Sequence, residues 1–115
     1  MKFAWLGDDL HETCRSEKRL RQRFGDAASA VKVLLTALSQ ADSLGDVRAF
    51  RSLQLLLIPP TKKHQGRLLI RHKEIDMTME LLTADDRVIY EAERPSASWI
   101  DPISHVRVIS INSNA

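Results

Sequence analysis

Apolar residues recur with helical spacing over Asp26–Asp42, the longest such stretch in the chain. The residues that make one apolar stripe at the i, i+3 and i+4 spacing of a helix are Val31, Leu34, Leu35, Leu38 and Ala41. Asp26 directly follows Gly25, so its carboxylate is expected to cap the start of this helix. A helix of about 17 residues is about 25 Å long, which is enough to cross a small sheet.

The segment before this helix also contains apolar positions, but they form no single stripe. Residues 2–6 are expected to form a short strand, and a helical segment is expected to run from Asp8 or Asp9 to Phe24. Ser16 followed by an acidic residue is typical of a new helix start, which predicts two short helices or a kink. Gly25 is expected to end this segment, which then forms a helical hairpin with the long helix.

Short apolar or alternating runs in the second half predict strands. They are Leu53–Ile58, Arg67–His72, Met77–Leu82, Arg87–Ala92 and His105–Ile111. The leucines of the first run are typical of a buried strand, which the two prolines at 59 and 60 end. In the last run, alternation is expected to put Val106, Val108 and Ser110 on one side and Ile111 on the other, with a frayed tail at 112–115.

Helices first and strands afterwards predict an α+β fold. The N-terminal helices are expected to pack on one face of a mostly antiparallel sheet, and the 115 residues are expected to form a single domain. Trp99 is expected to anchor the polar loop at 93–98 to this body.

Composition narrows the class of protein. The chain is 43% hydrophobic and 28% charged, which is typical of a globular protein, and its single cysteine, Cys14, excludes an internal disulfide. The start MKFAWLGDD does not have the pattern of a signal peptide, and no apolar run has the length of a membrane span, so a cytoplasmic location is expected. The histidines lack metal-ligand spacing and no glycine-rich phosphate loop is present, so no cofactor is expected.

The chain carries a net charge of only +2, but its basic residues are concentrated in two runs, at 15–23 and at 62–73. In the second run, alternation predicts Arg67, Leu69 and Arg71 on one face of a strand that follows a loop with Lys62, Lys63 and His64. Such residues suit a phosphodiester, because cations hold phosphate oxygens and an imidazole can move a proton. A solvated basic loop that protects a sheet edge explains the same pattern equally well.

The residues from 12 to 50 resemble a known family. The stretch LHETCRSEKRLRQRFG, the alanine-rich helix and ALSQADSLGDVRAF resemble the N-terminal half of HigB-like toxins, the killer-protein branch of the RelE/ParE superfamily. The residues that carry the resemblance are Cys14, Ser16, Glu17, Lys18, Gly25, Leu38, Ala41, Leu44 and Asp46. The stretch LLIPPTKKHQGRLLI is similar to the family's strand, basic loop and next strand, with Lys63 and Gly66 matching.

This resemblance implies a toxin of a type II toxin–antitoxin system. It implies a cytoplasmic bacterial setting and a cognate antitoxin, which is expected to be a helix-turn-helix protein. Many members cleave mRNA without a metal, often on the ribosome, and others in the superfamily act on gyrase. As a nuclease, the chain is expected to use His64, Arg67 and Arg87 in catalysis and to bind RNA through Lys62, Lys63, Arg71 and Lys73.

The chain departs from the family's catalytic pattern. Leu56 stands where relatives carry a histidine, and the family's strand arginine aligns either with Thr78 by length or with Arg87 by local likeness. Two alternatives to a nuclease therefore stay open: a catalytically degenerate module that binds a protein partner, or a gyrase-directed toxin.

Overall fold

The computed structural model describes residues 1–58, 67–89 and 100–114. It confirms an α+β fold with a five-stranded, mostly antiparallel sheet. The helices are α1 (Asp8–Arg15), α2 (Glu17–Phe24), α3 (Ala28–Gln40) and α4 (Leu44–Arg48). The strands are β1 (Lys2–Trp5), β2 (Gln54–Ile58), β3 (Arg67–His72), β4 (Ile75–Leu82) and β5 (His105–Ser113). No helix of the described segments is long and apolar enough to cross a membrane.

The first two helices are separate, as predicted. Ser16 has an extended backbone between them, and its hydroxyl accepts a hydrogen bond from the backbone N–H of Arg19 at 3.3 Å. This contact is the usual serine cap of a helix start. Gly25 ends α2 with a φ of 57°, in the left-handed region that glycine adopts without a steric penalty.

The long helix begins later than predicted. Gly25–Ala27 forms a single 3₁₀ turn, and α3 starts after it with Ala27 as its capping residue and no side-chain cap. The prediction that Asp26 caps the helix was therefore wrong, because its carboxylate lies within the tighter turn rather than just before the first helical residue. In the same way, the residue before α1 is Gly7, and Asp8 and Asp9 lie in the first turn of α1. Their negative charges there interact favourably with the positive end of the helix dipole.

One hydrophobic cluster includes side chains of α3 and of the sheet. The fully or nearly fully buried side chains of α3 are Ala28, Ala30, Val31, Leu34 and Leu38. They belong to one hydrophobic cluster with buried residues of the three middle strands, among them Ile70, Met77 and Val108. Burial of one such leucine contributes about 1.5–3 kcal/mol, which exceeds the differences in intrinsic helix propensity between ordinary residues.

The sheet has the order β1-β5-β4-β3-β2. Three neighbouring pairs are antiparallel, and β1 pairs with β5 in parallel, with Lys2 opposite His105 and Trp5 opposite Val108. The strands β3 and β4 are joined by a tight turn in which Lys73 has a φ of 52°. The two edges of the sheet, among the described residues, are β1 and β2.

The structure of the last strand corrects the predicted sides of Ser110 and Ile111. A register shift between Thr78 and Met79 inserts one extra residue into β5, so Ser110 lies opposite Thr78 while Val108 lies opposite Met79. This bulge reverses the alternation, and Ile111 is therefore buried with Val106 and Val108 instead of lying on the other side.

The chain end is held by the β3–β4 turn. The predicted frayed tail was wrong for residues 112–114, because β5 extends to Ser113. The backbone N–H of Asn114 donates to the carbonyl of Glu74 at 2.8 Å, and its side-chain amide donates to Lys73 and Asp76.

Two further strand predictions changed. Leu55–Ile58 is only partly buried: β2 is an edge strand, and Leu56 and Leu57 are each 39% exposed, because no described strand covers their outer side. Of the predicted strand Arg87–Ala92, the described residues 87–89 form one isolated bridge, between Val88 and Leu82, after a turn from Thr83 to Arg87. Residues 90–92 and Trp99 lie outside the described residues.

Candidate functional site

One face of the sheet is lined by polar and charged side chains. On β3 the side chains of Leu68, Ile70 and His72 are buried, so the intervening residues point the other way, as the alternation predicted. We call this side of the three middle strands the polar face. Its residues are Arg67, Leu69, Arg71, Asp76, Thr78, Glu80, His105, Arg107, Ser110 and Asn112.

Three charged residues lie side by side at one end of the polar face. Glu80 of β4 pairs with Arg107 of β5, and the glutamate Oε1 lies 3.6 Å from the arginine Nε. On the other side of β4, Leu68 of β3 lies opposite Met79. Because the two strands are antiparallel, the next residues outward, Arg67 and Glu80, also lie opposite each other. Neighbouring strands are about 4.8 Å apart, so the two arginine backbones flank the glutamate within about 10 Å of each other. We call these residues the Arg67–Glu80–Arg107 row.

The arginine at the start of β3 has an unused donor. Arg67 is partly buried, and its Nε has no hydrogen-bond partner among the described residues. A buried donor without a partner costs about 1–3 kcal/mol, which a ligand oxygen at this position would recover. The carboxylate of Glu80 lies nearer to Arg107 than to Arg67, and only 17% of the Glu80 side chain is exposed. The row therefore contains two guanidinium groups for one carboxylate, which leaves a net positive charge.

A histidine adjoins this row. His105 lies two residues before Arg107 on the same side of β5, which corresponds to about 7 Å along the strand. Its Nδ1 is 3.0 Å from the hydroxyl of Ser104, so Nε2 is the ring nitrogen left for a ligand. His105 was not predicted as a site residue.

Helix α4 fixes the chain just before His105. The N–H of Leu44 donates to the carbonyl of Ile103 at 2.8 Å, and the N–H of Gly45 donates to that of Asp101 at 3.0 Å. Arg48 adds an ion pair with Asp101 at 2.7 Å. A side chain at position 45 would begin 3.1 Å from the Asp101 carbonyl oxygen, so glycine allows the two segments to approach this closely.

The second predicted arginine of β3 is already paired. Arg71 Nε lies 2.8 Å from Asp76 Oδ1, and its Nη2 lies 3.0 Å from Oδ2, which is a two-pronged ion pair. The hydrogen bonds from Arg71 hold the pKa of the Asp76 carboxyl below its usual range, with a further contribution from Asn114. Arg71 is four residues from Arg67, about 13 Å along the strand, so these two arginines do not meet.

The other predicted residues are distributed unevenly. Lys73 lies in the β3–β4 turn, about 20 Å along β3 from Arg67. Arg87 follows β4 at the end of the sheet where Arg67 lies, and its N–H donates to the Thr83 hydroxyl at 3.2 Å. The predicted residues Lys62, Lys63 and His64 lie outside the described residues. Thr78, one of the two positions for the family's arginine, lies on the polar face opposite Leu69 and Ser110, beside no cation.

Sequence reasoning missed Glu80, Arg107 and His105 as a group. Alternation along each strand predicts that Glu80 and Arg107 lie opposite the apolar residues. It does not show that β4 and β5 are neighbours, and adjacency in the sheet is what brings their charges together.

Comparisons with protein-family models, curated proteins and solved structures found no significant match. The resemblance to HigB-like toxins therefore stays a prediction from the sequence. Within the segments that the structure describes, no group of three histidine, cysteine or acidic side chains is positioned to hold a metal ion.

Proposed function

We propose that this chain is an RNA-binding toxin of a type II toxin–antitoxin pair, and that it binds a phosphodiester at the Arg67–Glu80–Arg107 row. The observation that carries the proposal is the buried Arg67 Nε, which lacks a partner among the described residues. A phosphate oxygen is a strong acceptor that matches a guanidinium, and the second guanidinium in the row can bind the same group.

The residues around the row have the roles that metal-free RNA cleavage needs. A base takes the proton of the 2′-hydroxyl, the resulting oxyanion attacks phosphorus, and the bond from phosphorus to the 5′-oxygen breaks with protonation of the leaving oxygen. Glu80 is an acceptor between the arginines, and His105 can donate from Nε2. Arg67 and Arg107 would stabilise the negative charge that develops on the phosphorus oxygens.

The basic loop of the sequence supports the same site. Lys62, Lys63 and His64 lie three to five residues before Arg67 in the chain, and Lys62 and Lys63 would add contacts to neighbouring phosphates. His64 and His105 are then two candidates for the proton donor. Separate His64→Ala and His105→Ala variants distinguish them, because the donor's loss slows cleavage while RNA binding persists.

Induced expression tests the proposal in cells. Wild-type chain is expected to stop growth and lower the rate of protein synthesis, and Arg67→Ala is expected to relieve both effects. Arg21→Ala on α2 is the matched control, since it removes an equal charge from a helix outside the row. Absence of any effect of the wild-type chain relative to an empty vector contradicts the toxin assignment.

A substrate analogue tests the chemistry separately. The purified chain is expected to cleave an RNA oligonucleotide to a 2′,3′-cyclic phosphate, and to leave intact the same oligonucleotide with deoxyribose at the cleaved position. If RNA is bound but never cleaved, the chain acts as a catalytically degenerate binding module. If DNA supercoiling is inhibited instead, the target is gyrase.

A further inference from the structure

The outer edge of β2 is an unpaired sheet edge among the described residues. The five residues of β2, QLLLI, pair with β3 in an unbroken register from Gln54 opposite Arg71 to Ile58 opposite Arg67. The strand contains no charge, no proline and no bulge, which are the features that commonly protect a sheet edge from pairing with another chain. No strand of the described residues pairs with its outer N–H and C=O groups, which could receive an added strand.

The side chains of β2 add an apolar surface on both sides of this edge. Leu56 and Leu57 point to opposite faces of the sheet, and each is 39% exposed. The other edge differs: β1 has four residues, begins with Lys2, and its remaining side chains are partly buried. An added strand with alternating apolar residues would cover Leu56 from one face and Leu57 from the other.

The charges around β2 specify the partner. Between Val47 and Glu74 the chain contains no acidic residue and seven basic ones: Arg48, Arg51, Lys62, Lys63, Arg67, Arg71 and Lys73. Asp101 pairs with Arg48 and Asp76 pairs with Arg71, while Arg51 is exposed at the start of the strand. A second copy of this chain would bring two basic hairpins together, whereas an acidic segment would neutralise them.

The apolar character of the edge distinguishes a peptide from a nucleic acid. Single-stranded RNA gains its binding energy from stacking on aromatic rings and from cations, and β2 has no aromatic residue. We propose that β2 binds an extended acidic segment of another protein as an added strand of the sheet. This inference does not depend on the RNA-binding proposal, because it concerns the edge and not the polar face.

A peptide-display selection on the full chain tests the inference. Random linear peptides are selected against the wild-type protein, and the enriched peptides are then synthesised. We expect extended sequences with alternating apolar residues and flanking Asp or Glu. In NMR spectra they should shift the β2 amide signals and slow their exchange with solvent.

Paired substitutions locate the binding site. Leu57→Lys and Leu56→Lys are each expected to weaken peptide binding by about tenfold or more, since each removes an exposed anchor and adds a like charge. Leu6→Lys is the control: Leu6 is 53% exposed and directly follows β1, at the opposite edge of the sheet. Unchanged far-ultraviolet circular dichroism and melting temperature show that each variant folds.

Four results would overturn the inference. The first is a selection that enriches no peptides, or only peptides without acidic residues. The second is enriched peptides that bind Leu57→Lys as tightly as wild type. The third is a free chain that sediments as a dimer and is dissociated by Leu57→Lys, since a second copy would then occupy the edge. The fourth is protection of the β2 amides by an RNA oligonucleotide rather than by the acidic peptides.

Discussion

Asp76 accepts hydrogen bonds from one residue that is near to it in the sequence, Arg71, and from one that is far from it, Asn114. Arg71 lies across the β3–β4 turn, and Asn114 lies at the end of β5, where its amide Nδ2 is 2.8 Å from Asp76 Oδ1. These bonds favour the charged carboxylate, those from Arg71 most, so the pKa of Asp76 is lowered although partial burial acts in the opposite direction. One carboxylate therefore links the start of β4 to both of its neighbouring strands.

This lowered pKa predicts a pH dependence of stability. A carboxyl group whose pKa is lower in the folded state stabilises it above the unfolded pKa of about 3.9, and this contribution is lost as pH falls through the folded pKa. Urea titrations of wild type and Asp76→Asn should therefore differ most near neutral pH and converge below about pH 4. A difference that stays constant down to pH 2 would contradict the assignment of the ion pair.

Cys14 illustrates how burial changes reactivity. Burial raises the pKa of its thiol to about 11, although the positive charge of Arg23 acts to lower it. At pH 8 the folded chain should react with iodoacetamide on the order of 100-fold more slowly than the unfolded chain, whose thiol has a pKa of about 8.5. The same chain in urea is the control. Equal rates in the two states would show that Cys14 is more accessible than the structure indicates.

Among the elements, α3 buries one stripe of side chains. Leu34 is fully buried, whereas its neighbour Val33 is 52% exposed. Leu34→Ala should lower the free energy of unfolding by about 2–5 kcal/mol through lost burial and a cavity. Val33→Ala should change it by about 0.5 kcal/mol or less. Denaturant titration checks both, and similar values for the two variants would contradict the orientation of the helix.

The elements that the sequence predicted well are those whose own residues determine them. The stripe of α3, the break at Ser16 and the strand Arg67–His72 depend on spacing within one segment. The bulge in β5 could not be predicted, because it changes only which residues of β4 and β5 lie opposite each other and has no signal in the sequence of β5 itself. The contacts of Asn114 were missed for the same reason, since its partners come from a turn about 40 residues earlier.

The candidate site divides in the same way. Arg67 could be predicted on one face of its strand from alternation alone. Glu80, Arg107 and His105 could not be assembled with it, because their proximity follows from the strand order β5-β4-β3. The face of the strand on which Arg71 lies was predicted correctly. Its ion pair with Asp76, which separates it from the Arg67–Glu80–Arg107 row, could not be predicted from a local pattern.

At the scale of the whole molecule, the β2–β3 hairpin connects two surfaces. Arg67 begins β3 on the polar face, where we propose that RNA binds. Its partner in the sheet, Ile58, ends the strand whose outer edge we propose binds an acidic segment. Under these two proposals, the basic residues from 48 to 73 would attract an anionic partner to either surface. The side chains would then discriminate: guanidinium groups bind phosphate, whereas leucines and a strand edge bind a peptide.

RNA affinity measured as a function of salt concentration tests whether Arg67 binds a phosphate. Fluorescence anisotropy with one single-stranded RNA compares wild type, Arg67→Ala and Arg21→Ala. Arg67→Ala should bind about tenfold more weakly, since a hydrogen bond to a charged group contributes about 1.5–3 kcal/mol. Its dependence of log affinity on log salt should be shallower by about 0.7, the value for one phosphate contact to single-stranded nucleic acid. Arg21→Ala should keep the wild-type slope. If Arg67→Ala retains both the affinity and the salt slope of the wild type, the phosphate does not bind at this row.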